Sequence, residues 1–173
     1  SHAGAINDAG QVVGSSYDST GTTRAFLYSG GTMTDLGTLG GAHSLAYAIN
    51  DAGQVVGRSY PAGSDYEHAF LYSGGTMNDL GTLGGNYSWA YGINDAGQVV
   101  GLSHNAGGLD RAFLYSGGTM ADLGTLGGNF SWGGYGINDA GQVTGSSSSA
   151  SGGIHAFLYS GGTMNDLGTL GGY

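Results

Sequence analysis

From Ser44 to Asn50 the chain reads Ser-Leu-Ala-Tyr-Ala-Ile-Asn, with Leu45, Tyr47 and Ile49 standing between smaller residues. A period of two predicts a β-strand, here called strand a. Three further runs follow: Gln-Val-Val-Gly-Arg-Ser from Gln54 (strand b), Ala-Phe-Leu-Tyr-Ser over 69–73 (strand c) and Thr-Met-Asn-Asp-Leu-Gly over 76–81 (strand d). Phe70 beside Leu71 places apolar residues on both parities of strand c, as in a sheet covered on both faces.

The connections predict the pairing. Asn-Asp-Ala-Gly between strands a and b suits a type I turn followed by a left-handed glycine, with Asn50 and Asp51 bonding amides inside it. Ser-Gly-Gly-Thr between c and d suits a two-residue hairpin. Both turns join antiparallel neighbours, so the segment is a four-stranded meander.

The pattern recurs. Ile6, Ile49, Ile93 and Ile137 are spaced by 43, 44 and 44, and the chain divides into repeats 1–43, 44–87, 88–130 and 131–173 of one repeat domain. A meander this small cannot bury both faces alone, so the units must pack on each other. Four strands in ~40–45 residues is the size of a propeller blade. The expected fold is an all-β propeller of four antiparallel blades. Small residues along strand a (Ala46, Ala48, Ala90, Gly92, Gly134, Gly136) suit the crowded strand nearest the axis. The alternatives are a β-solenoid and half of an eight-bladed ring; a closed four-blade ring would make Ser1 and Tyr173 neighbours.

His68-Ala69-Phe70 and His155-Ala156-Phe157 spell His-Ala-Phe, with Arg-Ala-Phe at Arg24 and Arg111. Together with Ile-Asn-Asp-Ala-Gly-Gln-Val-Val-Gly and Asp-Leu-Gly-Thr-Leu-Gly-Gly, the chain resembles the extracellular HAF-repeat family of bacterial and archaeal surface proteins over all four units. The resemblance implies a secreted or cell-surface β-repeat protein, with no established activity or ligand.

Composition narrows the chemistry. The 39 glycines, at ~1 kcal/mol per interior helix position, leave no stretch fit for a stable helix. Three basic residues against twelve acids, net −9, would repel phosphate backbones and anionic membranes, so no nucleic-acid partner is expected. No apolar run approaches the ~20 residues of a spanning helix, so no membrane insertion is expected, and no signal peptide pattern is present. The chain has no cysteine, which leaves the redox compartment open. It carries no Gly-x-Ser-x-Gly elbow, no His-Glu-x-x-His and no phosphate-cradling loop. No metal-ligand spacing appears, and calcium would need more clustered oxygens than one turn supplies. A non-catalytic protein without metal or cofactor is expected, a hydrolase on an acidic rim being the weakest alternative.

Variation concentrates in the b–c loops and d–a connections, which share one rim of a meander blade. Loops on a rigid scaffold are where binding residues usually lie. Eight acids fill repeated slots: Asp8, Asp51, Asp95 and Asp139 in the a–b turn, and Asp35, Asp79, Asp122 and Asp166 before Leu-Gly. These read as turn and capping groups. The other four, Asp18, Asp65, Glu67 and Asp110, fall in b–c loops and make that rim acidic. Tyr87 with Trp89, and Phe130 with Trp132, offer stacking platforms for sugar rings. The competing expectation is that strand alternation sends one of each pair, the tryptophan, between blades. His104, in a b–c loop, joins the candidate ligand-binding set. Arg24, His68, Arg111 and His155 are expected to bond repeated aspartates or carbonyls rather than form an anion site. Asn86-Tyr87-Ser88 and Asn129-Phe130-Ser131 are N-glycosylation sequons at Asn86 and Asn129. The expected function is an extracellular binding module, with a glycan or other surface ligand on the variable rim. The alternative is self-association as a structural protein of a surface layer or filament.

Overall fold

The computed structural model describes residues 1–171, and every regular element among them is a β-strand. The first sheet comprises β1 (His2–Ile6), β2 (Val12–Tyr17), β3 (Thr23–Ser29) and β4 (Thr32–Asp35). The second comprises β5 (Gly40–Ile49), β6 (Val55–Pro61), β7 (His68–Ser73) and β8 (Thr76–Asp79). The third comprises β9 (Gly84–Ile93), β10 (Val99–Asn105), β11 (Asp110–Ser116) and β12 (Thr119–Asp122). The fourth comprises β13 (Gly127–Ile137), β14 (Val143–Ser149), β15 (Ile154–Ser160) and β16 (Thr163–Asp166). Neighbouring strands within each sheet are antiparallel, so the solenoid alternative falls.

The turns form as their residues dictate. Gly53 at φ 75° closes the a–b turn, its amide donating to the Asn50 carbonyl at 3.0 Å. The glycine ending Gln-Val-Val-Gly has a different cause. A Cβ on Gly57 would stand 1.9 Å from the Leu45 carbonyl oxygen, so strand a can approach only a bare backbone there. Strand a is also longer than its alternating run. It begins at Gly40, Gly84 and Gly127, which places the repeat boundaries at Ser44, Ser88 and Ser131 inside a strand.

Packing runs from each sheet to the next in chain order. Strands β1, β5, β9 and β13 meet one another in succession and occupy the inner edge, where their small residues were expected. At the first junction Val13, Ala25 and Leu36 of sheet one share a core with Ala46, Ile49, Val55 and Phe70 of sheet two. At the second, Val56, Ala69 and Leu80 pack with Ala90, Val99 and Phe113. At the third, Val100, Ala112 and Leu123 pack with Val143 and Phe157. Each sheet therefore has a leading face carrying the phenylalanine and a trailing face carrying the leucine. Among the described residues, no comparable packing joins the fourth sheet to the first. The expected neighbourhood of Ser1 and Tyr173 lies outside the described residues.

Polar bonds reinforce each junction. The Ala25 amide donates to Ser44 Oγ at 2.9 Å and the Leu39 amide to Ser59 Oγ at 3.0 Å. Equivalent bonds reach Ser88, Ser103, Ser131 and Ser147. These serines are buried, so each hydroxyl satisfies an amide that would otherwise be stranded.

Candidate ligand-binding rim

The b–c connections and the entries to strand a lie on one rim. The side chain at the Asp18 slot, where strand b gives way to the loop, shapes the b–c loops of the first and third sheets. Asp18 Oδ1 accepts from the Thr20 amide at 2.8 Å, the Thr22 amide at 3.0 Å and Thr20 Oγ1 at 2.6 Å. The Thr20 hydroxyl and these amides hold its carboxyl far below the usual range. Asn105 does the same for Gly107 and Leu109, while Pro61, at the equivalent slot, offers no side-chain acceptor.

Between the second, third and fourth sheets the aromatic residues of this rim converge. Tyr87 stacks on Trp89 with ring centres 5.0 Å apart, and Phe130 lies 4.6 Å from Trp132. Each pair is two residues apart on one strand, so both members share a face; alternation separates only adjacent residues. The expectation that alternation would divide each pair is corrected on that ground. Both tryptophans nevertheless meet the preceding sheet. The Arg58 guanidinium lies over the Trp89 ring at 4.8 Å, and Trp132 Nε1 donates to Asp110 Oδ2 at 3.2 Å.

Asp110 is the hub. Its Oδ1 accepts from Tyr87 Oη at 2.6 Å and stands 3.4 Å from His104 Nε2. His104 in turn lies 4.0 Å from the Tyr87 ring. Burial, then the bond to Asp110, pushes the Tyr87 phenol pKa well up. On the other side of Trp89, Arg58 Nη1 pairs with Glu67 at 2.9 Å. Seven of the residues singled out for ligand binding are thus linked: Glu67, Tyr87, Trp89, His104, Asp110, Phe130 and Trp132. Asp65 is exposed and stands outside the set. Asn86 and Asn129, the sequon residues, are exposed at the start of strand a. Beside Phe130, a cleft of about 340 Å³ opens between Gly128, Asn129, Ser148 and Ser149.

Arg58 on the rim and a ladder on the inner strands were not singled out from sequence. Arg58 is the one arginine outside the Arg-Ala-Phe slots, which was its available signal. Tyr47, Tyr91 and Tyr135 form a ladder with centres 5.8 and 5.6 Å apart, one rung on each of the second, third and fourth sheets. Their recurrence at one repeat slot was the sign. Burial, with Tyr135 and Tyr47 alongside, pushes Tyr91 up to about 12.

The repeated acids take structural roles, but not all within their own turns. Asp79 Oδ1 accepts from the Gly81 amide at 2.7 Å, and Asp35, Asp122 and Asp166 act alike. Asp51 instead accepts the amide of Asp8 on the preceding sheet at 3.0 Å; Asp95 and Asp139 do the same for Asp51 and Asp95. The cap inside the turn is Asn50, whose Oδ1 accepts from the Gln54 amide. His68, Arg111 and His155 pair with Asp79, Asp122 and Asp166, whereas Arg24 turns to Asp18. Among the described residues no group of three or more His, Cys, Asp or Glu side chains could hold a metal ion.

No family model and no curated protein matches this sequence. Among solved structures, the β-propeller domain of the Trilobed protease from Pyrococcus furiosus, described as an open velcro topology, is similar at 13% identity and TM-score 0.65. The match covers 93% of this chain and 49% of that one. The fold is that of a β-propeller. The acylaminoacyl peptidase of Pyrococcus horikoshii is similar at 15% identity and TM-score 0.60, over 97% of this chain and 27% of that one. The four sheets described above are successive propeller blades, and the chain spans about half of the first of these relatives.

Proposed function

We propose that this propeller is a non-catalytic recognition module that binds a carbohydrate on the rim between its second and fourth blades. The supporting observation is the convergence of Tyr87, Trp89, His104, Phe130 and Trp132 around the Asp110 carboxylate. Aromatic faces offer flat apolar area to the C–H face of a sugar ring, while carboxylates and serine hydroxyls match its hydroxyls. The cleft at Phe130, flanked by the exposed Asn129, adds a polar amide next to an aromatic edge. The resemblance to HAF-repeat surface proteins supports placing the module outside the cell.

Glycan-array screening of the chain beside Trp89→Ala and Trp132→Ala variants tests this. Binding by the parent, weakened at least about tenfold (~1.4 kcal/mol) in each variant, is expected. No binding by any form would remove the proposal.

A further inference from the structure

The three junctions between blades repeat one set of contacts, and the two outermost faces carry its unmatched halves. Leu36, Leu80 and Leu123 are 5%, 8% and 6% exposed, whereas the equivalent Leu167 is 59% exposed. Leu170, which corresponds to Leu39, Leu83 and Leu126, is fully exposed as well. At the other end Ile6 is 68% exposed against 9% for Ile49, and Tyr28 and Met33 are uncovered too.

We infer that the trailing face of the fourth blade docks on the leading face of the first blade of a second copy of this chain. Apolar fit is the first argument. A hollow of about 180 Å³ on the first blade is lined by Tyr17, Phe26 and Met33, with Asp18, Arg24 and Asp35 around it. In the second blade the counterparts of Phe26 and Met33 are Phe70 and Met77, which share a core with Leu36 and Leu39. Leu167 and Leu170 occupy the matching positions on the fourth blade. Thr144, where the first three blades carry Val13, Val56 and Val100, is the one polar departure in that face.

Hydrogen-bond direction is the second argument, and it sets head against tail. At every inner junction the earlier blade supplies two amides to serines, an asparagine Nδ2 and an aspartate amide, as in Ala25, Leu39, Asn7 and Asp8. The fourth blade presents the corresponding donors at Ala156, Leu170, Asn138 and Asp139. The first presents the acceptors at Ser1, Ser16, the Asn7 carbonyl and the Asp8 carboxylate. Two copies meeting through the same face would set donors against donors, which burial penalises. A heterologous contact of this kind closes into a ring or continues as an open series, depending on its rotation.

Sedimentation or native mass spectrometry of the 173-residue chain tests the contact. A closed dimer or a ladder of oligomers is expected. Leu167→Asp with Leu170→Asp, and separately Ile6→Asp with Met33→Asp, should each give monomers with the parent circular dichroism, since all four side chains are exposed in the single chain. Mixing the two variants should restore a one-to-one pair through the intact half of each. A monomeric parent, or oligomers indifferent to both pairs of substitutions, would overturn the inference.

Discussion

Asn50 donates its side-chain amide to the main-chain carbonyl of Asn94, 3.0 Å away and 44 residues further along the chain. The same bond joins Asn7 to Asn50 and Asn94 to Asn138. A turn residue therefore performs two tasks: its oxygen caps its own turn and its nitrogen ties that turn to the next blade. That double duty explains why Asn-Asp-Ala-Gly is repeated so faithfully while the opposite rim varies.

Asn50→Ala leaves the Gln54 amide without its acceptor and removes the bond to the next blade at the Asn94 carbonyl, which keeps only the Gly97 amide, and should cost about 1–3 kcal/mol. Asn138→Ala should cost distinctly less, because Asn138 is exposed and its amide bonds only Gln142 among the described residues. Urea unfolding of the two variants compares them directly. Equal losses would contradict the inter-blade role.

Gly101→Ala should be among the most damaging single changes. The added Cβ would stand 1.9 Å from the Trp89 carbonyl oxygen and 2.8 Å from the Phe113 ring. Overpacking of this kind costs about 1–3 kcal/mol, and it displaces the strand that carries Tyr87 and Trp89. A lowered melting temperature together with altered tryptophan emission is expected; a parent-like melt would show that strand a yields without cost.

Asp110 couples the two aromatic pairs. A double-mutant cycle with Tyr87→Phe and Asp110→Ala should give a coupling of about 0.5–3 kcal/mol, as groups sharing a hydrogen bond do. Strict additivity in chemical unfolding would mean that the bond contributes nothing to the fold.

Alkaline titration gives a separate check. Phenols in water ionise near ~10, while burial drives Tyr91 up to about 12 and raises Tyr47 and Tyr87. In this case the folded chain holds phenolic protons that the unfolded chain has lost, so stability should fall as pH rises above ~10. Ultraviolet difference titration should show a fraction of the tyrosines ionising late or only on unfolding. One homogeneous transition near ~10 would refute the burial.

The meander was legible in the chain because its turns depend on local chemistry: glycines at positive φ beside asparagine or serine leave few other solutions. The order of strands follows from those turns alone. What escaped was set by geometry between blades. Asp51 reads as a cap for its own turn, yet the stacking of blades brings the Asp8 amide within reach first. Gly40 and Gly41 read as a loop, although Gly40 pairs with Pro61 as the first residue of strand a. The rim was singled out because its residues differ from repeat to repeat while the scaffold does not. Asp65 had that same mark and stays apart, since variability shows where a loop is free to change and not which side chains converge.

The contacts between repeats carry the whole account, and nuclear Overhauser spectroscopy of the Asn50 and Asn94 side-chain amides reads them most directly. Cross-peaks should link the Asn50 side-chain amide to Asn94 and that of Asn94 to Asn138, steps of 44 residues each. Amide contacts confined to each asparagine's own turn, or linking rungs half a repeat apart, would contradict blades stacked face to face.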